Sequence, residues 1–184
     1  MIRSLPVRTL LIAGALTLPG HAMAQSAKPC LTSAEAEGLV TFALPSLLDG
    51  ISKQCAPSLP ATASLSQSGK LIAAKYQADA DRAWPVASAA FDKISGMKMA
   101  NAMGEAGLRG LLQGALSAGM GEQIKPKDCV TVDRFVDILQ PLPASNMARL
   151  VVAFLELGST NKSGQPSKSP LNLCPVAGAA TGGK

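Results

Sequence analysis

Residues 145–157 of the chain read SNMARLVVAFLEL, and this stretch decides which fold the sequence predicts. Its apolar residues recur at helical spacing and also fill most of the remaining helix surface: Met147, Leu150, Val151, Val152, Ala153, Phe154, Leu155 and Leu157. A helix that is apolar nearly all round is surrounded by its neighbours or docks to a partner. Its thirteen residues are too few to cross a bilayer, since a crossing takes about 20. The stretch therefore predicts the central helix of a small all-α domain.

The first 24 residues have the three parts of a secretory signal peptide. Arg3 and Arg8 form a basic region, residues 10–18 form an apolar region, and residues 22–24 form a small-x-small cleavage site. The apolar run of nine residues is too short for a membrane anchor. Cys30 lacks the small and aliphatic residues that precede a lipid-attachment cysteine. The sequence thus predicts export, to the periplasm or alternatively out of the cell, with no transmembrane segment after cleavage.

Cleavage after Ala24 would leave 160 residues, which suffice for one domain with a modest core. The net charge would fall from +5 to +3, because two arginines leave with the signal peptide. The remaining charges are scattered and only one Tyr and one Trp are present, which argues against nucleic-acid binding. His21, the one histidine, also leaves. The mature chain would then have no Ser-His or Cys-His mechanism and no imidazole ligand for zinc.

Four cysteines remain in the mature chain: Cys30, Cys55, Cys129 and Cys174. An even number of cysteines in an exported chain predicts two disulfides. The alternative is a four-thiolate metal site, which usually contains C-x-x-C pairs. The spacings of 25, 74 and 45 residues contain no such pair, so we expect disulfides.

Two predicted helices, at residues 132–140 and 145–157, are joined by a short Pro-Leu-Pro turn. Helices with so short a connection form an antiparallel hairpin. The chain that follows the second helix would then lie beside Cys129, where Cys174 can bond to it. We therefore predict a Cys129–Cys174 disulfide, which leaves the two N-terminal cysteines to pair with each other.

The remaining pair, Cys30 and Cys55, can form a bond only if the first helix is broken. About 22 residues of continuous helix would hold its ends roughly 33 Å apart, whereas bonded Cα atoms lie about 4.4–6.8 Å apart. Pro45 is the residue that would break the helix into a hairpin, and Ser46 with Asp49 forms a capping box that favours the break. Apolar residues keep one helical phase across Pro45, so a single kinked helix is the alternative.

The rest of the mature chain predicts further helices and no strand. A capping box at Thr32 and Glu35 begins the first helix. Trp84 and Pro85 separate two further helices, and we expect Trp84 to be a core residue. In the helix predicted at residues 70–83, Leu71 is expected to face the core. Helices are predicted from residue 33 onward and at residues 70–83, 86–95, 99–124, 132–140 and 145–157.

The helical pattern at residues 99–124 contains six glycines. Each glycine inside a helix costs about 1 kcal/mol relative to alanine, so the helix is broken or the glycines permit close packing. Gly107, Gly110 and Gly114 fall on one side, and we expect another helix to pack closely there. Glu105 argues against a membrane dimer of the small-xxx-small type.

Together these patterns predict an all-α fold, a small irregular bundle of about six helices stapled by disulfides. The predicted organisation is a signal peptide at residues 1–24, a helical domain at 25–158 and a flexible tail at 159–184. The tail would be pinned at Cys174.

Two kinds of sequence element resemble catalytic groups. The S-x-x-K motif of Ser-Lys hydrolases occurs at residues 159–162 and 95–98. At residues 159–164 three motifs overlap in a predicted loop: S-x-x-K, S-x-N and a near match to K-T-G. In Ser-Lys hydrolases these three motifs come from separate structural elements. Asp133 and Asp137 lie four residues apart on a helix, and we expect them to be exposed solubilising charges. We predict that the protein is not an enzyme and keep a Ser-Lys hydrolase as the alternative.

Met97, Met99 and Met103 form a methionine cluster, and thioethers select soft ions such as Cu(I). Methionine is also a common core residue, and no histidine accompanies the cluster. Soft-metal binding is therefore a further alternative. The main prediction is an exported protein that acts by binding or structural interaction with a protein partner, without cofactor, metal or nucleic acid.

Overall fold

A computed structural model describes residues 29–159 and 171–175. Within these ranges the chain forms six α-helices and no strand apart from a single bridge between Leu31 and Leu173. The helices are α1 Ser33–Cys55, α2 Ser64–Lys75, α3 Gln77–Ser95, α4 Met99–Gln123, α5 Cys129–Leu139 and α6 Ala144–Ser159. The prediction of an all-α fold with about six helices is confirmed. None of these helices is both long enough and apolar enough to cross a membrane.

The predicted signal peptide at residues 1–24 lies outside the described residues. The same holds for the predicted tail at 159–184, apart from the backbone of Ser159 and residues 171–175.

The central helix of the fold is α1. Four other helices, α2, α3, α4 and α6, pack against it, because a helix of 23 residues is long enough to contact all of them. Its buried residues occupy every side of the helix: Ala36, Val40, Phe42, Ala43, Leu44, Pro45, Ser46, Leu48, Gly50, Ser52 and Cys55. The prediction that residues 145–157 form the central helix is therefore wrong.

The helix α6 covers one side of α1 and leaves its own other side open. Its buried residues are Ala144, Met147, Ala148 and Val152, whereas Leu150, Val151, Phe154 and Leu157 are exposed. The apolar side chains found all round this helix thus have two different surroundings. One set packs in the core, and the other faces outward.

The capping box at the start of α1 is present as predicted. The Thr32 hydroxyl accepts a hydrogen bond from the Glu35 N–H, and the Glu35 carboxylate accepts one from the Thr32 N–H. Glu35 also forms an ion pair with Lys93 of α3, at 2.8 Å. Pro45 lies inside α1 without ending it, so the helix is continuous. The break at Pro45 that the predicted disulfide pairing required does not occur.

We expect the stability contributed by Glu35 to be lost in acid. Hydrogen bonds from Lys93 and Thr32 lower the pKa of Glu35 from 4.5 to about 2. The folded state thus favours the charged carboxylate, and the contribution is complete above pH 4.5 and falls as the pH drops toward 2. Because the group lies near the surface, the loss should be on the order of 1–2 kcal/mol. Urea unfolding between about pH 6 and pH 2.5, followed by circular dichroism, measures it.

Glu35→Gln is the matched control for this prediction. Its amide oxygen can still accept the Thr32 N–H hydrogen bond of the capping box but has no proton to gain in this range. The wild-type protein should lose more stability than the variant as the pH falls. An equal pH dependence in the two proteins would contradict the role assigned to Glu35.

The disulfides are Cys30–Cys174 and Cys55–Cys129, with Cα–Cα distances of 4.9 and 5.3 Å. The predicted pairing of Cys30 with Cys55 and Cys129 with Cys174 is therefore wrong. The continuous α1 separates Cys30 from Cys55 by its whole length. Since α5 packs against α2 and α6 against α1, the two do not form the predicted hairpin.

The chain after α6 returns instead to the beginning of α1. Backbone hydrogen bonds of 2.8 Å join Leu31 N–H to Asn172 O and Cys174 N–H to Leu31 O, which places Cys174 beside Cys30. The two disulfides span 144 and 74 residues. Loops of this length correspond to a stabilisation of roughly 4–5 kcal/mol for each disulfide.

The boundary between α2 and α3 lies at Tyr76 rather than at Trp84 and Pro85 as predicted. The Tyr76 hydroxyl shares its one proton between the carbonyl oxygens of Gln140 and Leu142, at O–O distances of 2.8 and 3.0 Å. This buried side chain fixes the junction to the turn before α6. Pro85 lies inside α3.

The prediction that Leu71 faces inward from the helix before Trp84 is wrong. Leu71 is 73% exposed, whereas Ile72, also a candidate for the inward side, is buried with Ala73. Trp84 is buried as predicted, with its ring 5.0 Å from that of Phe42. The Arg109 guanidinium lies 5.8 Å from the Trp84 ring, which adds a cation–π contact.

The glycines of α4 do not serve the close packing that the sequence suggested. Gly104 interrupts the helix with φ of 75°. Cβ atoms at Gly110 or Gly114 would have no neighbour within 4 Å, and one at Gly107 would contact only Met103 of the same helix. The prediction of close packing at these three glycines is wrong.

The close approach between α1 and α4 is made by Gly50. A Cβ at this position would lie 2.1 Å from the backbone oxygen of Ser117, so the two helices touch there through their backbones. This contact fixes the position of α4 relative to α1.

Candidate functional site

An apolar cleft of about 240 Å³ lies between α1 and α5. Gln140 is the one polar residue in its lining. The others are Leu44, Leu47, Leu48, Ile51, Ile72, Met120, Val132, Phe135, Val136, Leu139 and Met147. The four α1 residues recur at helical spacing and therefore share one side of that helix. Such a cleft favours apolar groups over water, because it offers water almost no hydrogen-bond partner.

Apolar side chains continue outside the cleft on both α5 and α6. Phe135 lines the cleft yet is 60% exposed, and Ile138 follows it by three residues. On α6, Met147 lines the cleft, and the residues three, four and seven positions later share its side of the helix. We call the exposed set the apolar face: Phe135, Ile138, Leu150, Val151 and Phe154. Exposed apolar side chains grouped on one side of a helix are typical of a site for a protein or membrane.

A second depression, the polar groove, lies on the opposite side of α1 and has a volume of about 850 Å³. Ser46, Asp49 and Lys53 of α1 contribute to it. Further lining residues come from α1, from α4 and from the junction of α2 and α3, and include Pro45, Gly50, Gln54, Gln113, Gly114, Ser117, Ala118, Gly121, Glu122, Ala73, Ala74 and Gln77. No aromatic side chain lines the polar groove.

Asp49 is the central charged group of the polar groove. Its Oδ2 accepts hydrogen bonds from Lys53 Nζ at 2.6 Å and from Ser117 Oγ at 3.0 Å. Burial alone would raise the pKa of Asp49, but these two hydrogen bonds and the positive charges of Lys53 and Lys70 together hold the pKa below its ordinary value. The carboxylate is therefore ionised at neutral pH.

The structure gives the Ser95 hydroxyl a local role. Ser95 Oγ donates to the backbone oxygens of Asp92 and Met97 and accepts the Met97 N–H, so it stabilises the end of α3. These contacts do not join it to Lys98. The other S-x-x-K copy, at residues 159–162, lies outside the described residues apart from the backbone of Ser159.

The carboxylate pair on α5 connects two helices instead of only solubilising the surface. The Asp133 carboxylate accepts a hydrogen bond from the Leu65 N–H at 2.7 Å, and Asp137 accepts one from the Ser64 hydroxyl at 2.8 Å. Ala63, the N-cap residue of α2, has no side chain that can do this. Asp133 and Asp137 thus cap α2 from a neighbouring helix.

The methionine cluster is divided between the core and the surface. Met99 is half-buried and packs against the cluster that contains Phe42 and Trp84. Met97 and Met103 are exposed. Among the described residues, no three His, Cys, Asp or Glu side chains lie together where they could hold a metal ion.

Comparison of the chain with family models, with characterised proteins and with solved structures finds no match. The two candidate sites are therefore interpreted from their own residues.

Sequence reasoning missed both sites for different reasons. Phe135 belongs to an apolar stripe at helical spacing, and such a stripe looks the same whether all of it is buried or part of it faces outward. The polar groove joins residues 46–53 with residues 113–122, and only the packing of α4 on α1 brings them together.

Proposed function

We propose that the protein is an exported binding protein whose apolar face and apolar cleft hold an amphipathic helix of a partner protein. The observation that carries this proposal is that the lining of the cleft reaches the surface. Phe135 and Met147 line the cleft, and each lies on the same side of its own helix as exposed apolar residues. The two disulfides and the signal-peptide pattern support export.

The size of the cleft favours a protein partner over a whole small molecule. Small-molecule sites have volumes of about 300–1,000 Å³, and the cleft, at about 240 Å³, is smaller. A space of this size suits one or two large side chains. Buried anchor side chains of this kind dominate the binding energy of protein interfaces.

The secondary structure around the site favours a helical ligand. The surface consists of helices, and the described residues offer no sheet edge to which a strand could add. A polyproline II segment docks in a groove lined by aromatic residues, and Phe135 is the one aromatic residue of this lining. The lining, mostly aliphatic, instead suits helix-in-groove binding, with anchors at i, i+3 or i+4, and i+7.

Site-specific photo-crosslinking in the producing cell tests the proposal. A benzophenone amino acid would replace Phe135 or Phe154, both on the apolar face. Leu71 is the matched control position, because it is apolar and exposed but does not line the cleft. We expect the two test positions, but not position 71, to crosslink to the same protein. The crosslinked peptide should have the apolar pattern of an amphipathic helix.

A synthetic peptide with the crosslinked sequence then allows a quantitative test with the purified protein. Phe135→Ala should weaken its binding at least tenfold, as hot-spot truncations do, whereas Leu71→Ala should leave it unchanged. Equal crosslinking from position 71 would overturn the proposal. So would adducts that contain only lipid, only a second copy of this chain, or a segment without the helical apolar pattern.

A further inference from the structure

The structure assigns a second binding site to the polar groove, with a small zwitterionic peptide as its ligand. This inference does not depend on the apolar face, because α1 separates the two sites. Residues 44, 47, 48 and 51 line the apolar cleft, whereas residues 46, 49, 50 and 53 line the polar groove. At 100° per residue, these two sets occupy opposite sides of the helix. The volume of about 850 Å³ lies within the range of small-molecule sites.

Ser46 offers the groove a polar contact. The residue is only 7% exposed and lines the groove, and no hydrogen bond of its hydroxyl is found among the described residues. Its oxygen is not among the fully enclosed unpaired atoms, so it is open to the groove. A polar ligand in the groove can therefore exchange a hydrogen bond with it in place of water.

The groove contains charges of both signs, from Asp49, Lys53 and Glu122, so it can contact an ammonium group and a carboxylate of one ligand. Both hydrogen bonds to Asp49 go to Oδ2, so Oδ1 can accept from an ammonium group. Lys53 is mostly exposed and has hydrogen-bond donors to spare for a carboxylate. Gln113 offers a side-chain amide that can pair with a peptide bond, and Gln77 offers its amide oxygen, since its nitrogen donates to Asp81.

Other ligand classes fit the lining less well. A sugar ring or a nucleobase usually stacks on an aromatic side chain, and the groove has none. A lipid chain needs large apolar side chains, whereas the walls carry Ala73, Ala74, Gly114 and Ala118. Small residues of this kind let a peptide backbone approach closely.

Isothermal titration calorimetry of the oxidised protein with triglycine tests the site. Gly114→Leu should block it without disturbing the fold, because a Cβ at position 114 meets nothing within 4 Å. Gly110→Leu is the matched control, since position 110 is equally open but does not line the groove. We expect saturable binding that Gly114→Leu weakens at least tenfold and that Gly110→Leu leaves unchanged.

A second comparison tests the zwitterionic class. Triglycine with an acetylated N-terminus and an amidated C-terminus lacks both charges and should bind at least tenfold more weakly than free triglycine. Ser46→Ala should also weaken the binding of triglycine by several-fold. The inference is overturned if triglycine shows no saturable binding, if Gly114→Leu binds it as well as Gly110→Leu does, or if the blocked peptide binds equally well.

Discussion

Phe42→Ala should destabilise the protein by about 3–5 kcal/mol, which is the usual cost of removing a large buried ring. The Phe42 ring is 1% exposed and packs against Trp84, with the guanidinium of Arg109 6.0 Å from its centre. The substitution would leave a cavity between α1, α3 and α4 that these long helices can close only in part. Urea unfolding followed by circular dichroism at 222 nm gives the change in free energy.

Phe154→Ala is the matched control because it removes the same ring from α6. Phe154 is 65% exposed, so we expect its loss to cost less than about 1 kcal/mol. The two substitutions together test which helix is central. If Phe154→Ala cost as much as Phe42→Ala, α6 would be buried as the sequence first suggested, and the apolar face would not exist.

The comparison of these two phenylalanines also shows what the sequence could predict. The helical class and the capping box at Thr32 and Glu35 depend on local spacing, and both are confirmed. The burial of Trp84 is confirmed as well. Which helix becomes central depends instead on length and on contacts with distant residues. The 23 residues of α1 can reach four neighbours, whereas apolar residues all round α6 do not by themselves mean burial.

The prediction of the disulfide pairing was wrong for the same physical reason, because the pairing depends on contacts between residues far apart in the sequence. The prediction required Pro45 to break the first helix, but a proline inside a helix can kink it without ending it. Tertiary packing around α1 keeps the helix continuous here. Because α1 is continuous, Cys30 and Cys55 lie at opposite ends of it, too far apart to bond. Each therefore forms its disulfide with a cysteine from a later part of the chain. Neither Cys129 nor Cys174 carries a local signal that shows which end it meets.

The candidate sites depend even more on packing than the fold does. The polar groove needs residues about 70 positions apart on α1 and α4, as the Ser117–Asp49 hydrogen bond illustrates with a separation of 68. The apolar face needs α5 to turn Phe135 outward. Periodicity identifies the side chains that share one face of a helix, but it does not show which faces the fold leaves uncovered.

Gly50→Ala should destabilise the protein by about 2–3 kcal/mol or more, because the added methyl group has no space. Its Cβ would lie 2.1 Å from the backbone oxygen of Ser117 and 2.9 Å from the carbonyl carbon. A backbone in the middle of α4 cannot rotate away as a side chain can, so the two helices would have to separate. The gain in helix propensity, about 1 kcal/mol, is too small to compensate. Thermal and urea unfolding of the variant measure the loss.

Gly110→Ala gives the opposite expectation and completes the test. A Cβ at position 110 meets nothing within 4 Å, so this substitution should stabilise the protein by about 0.4–1 kcal/mol. Gly69→Ala should be destabilising as well, since its Cβ would lie 2.0 Å from Ser52 Oγ and 2.7 Å from Ser52 Cβ, and rotation of the side chain moves only the first of these atoms. The sign of the effect thus follows the space available at each glycine. A stabilising effect of Gly50→Ala would mean that α1 and α4 do not cross there, and the polar groove between them would lose its geometric basis.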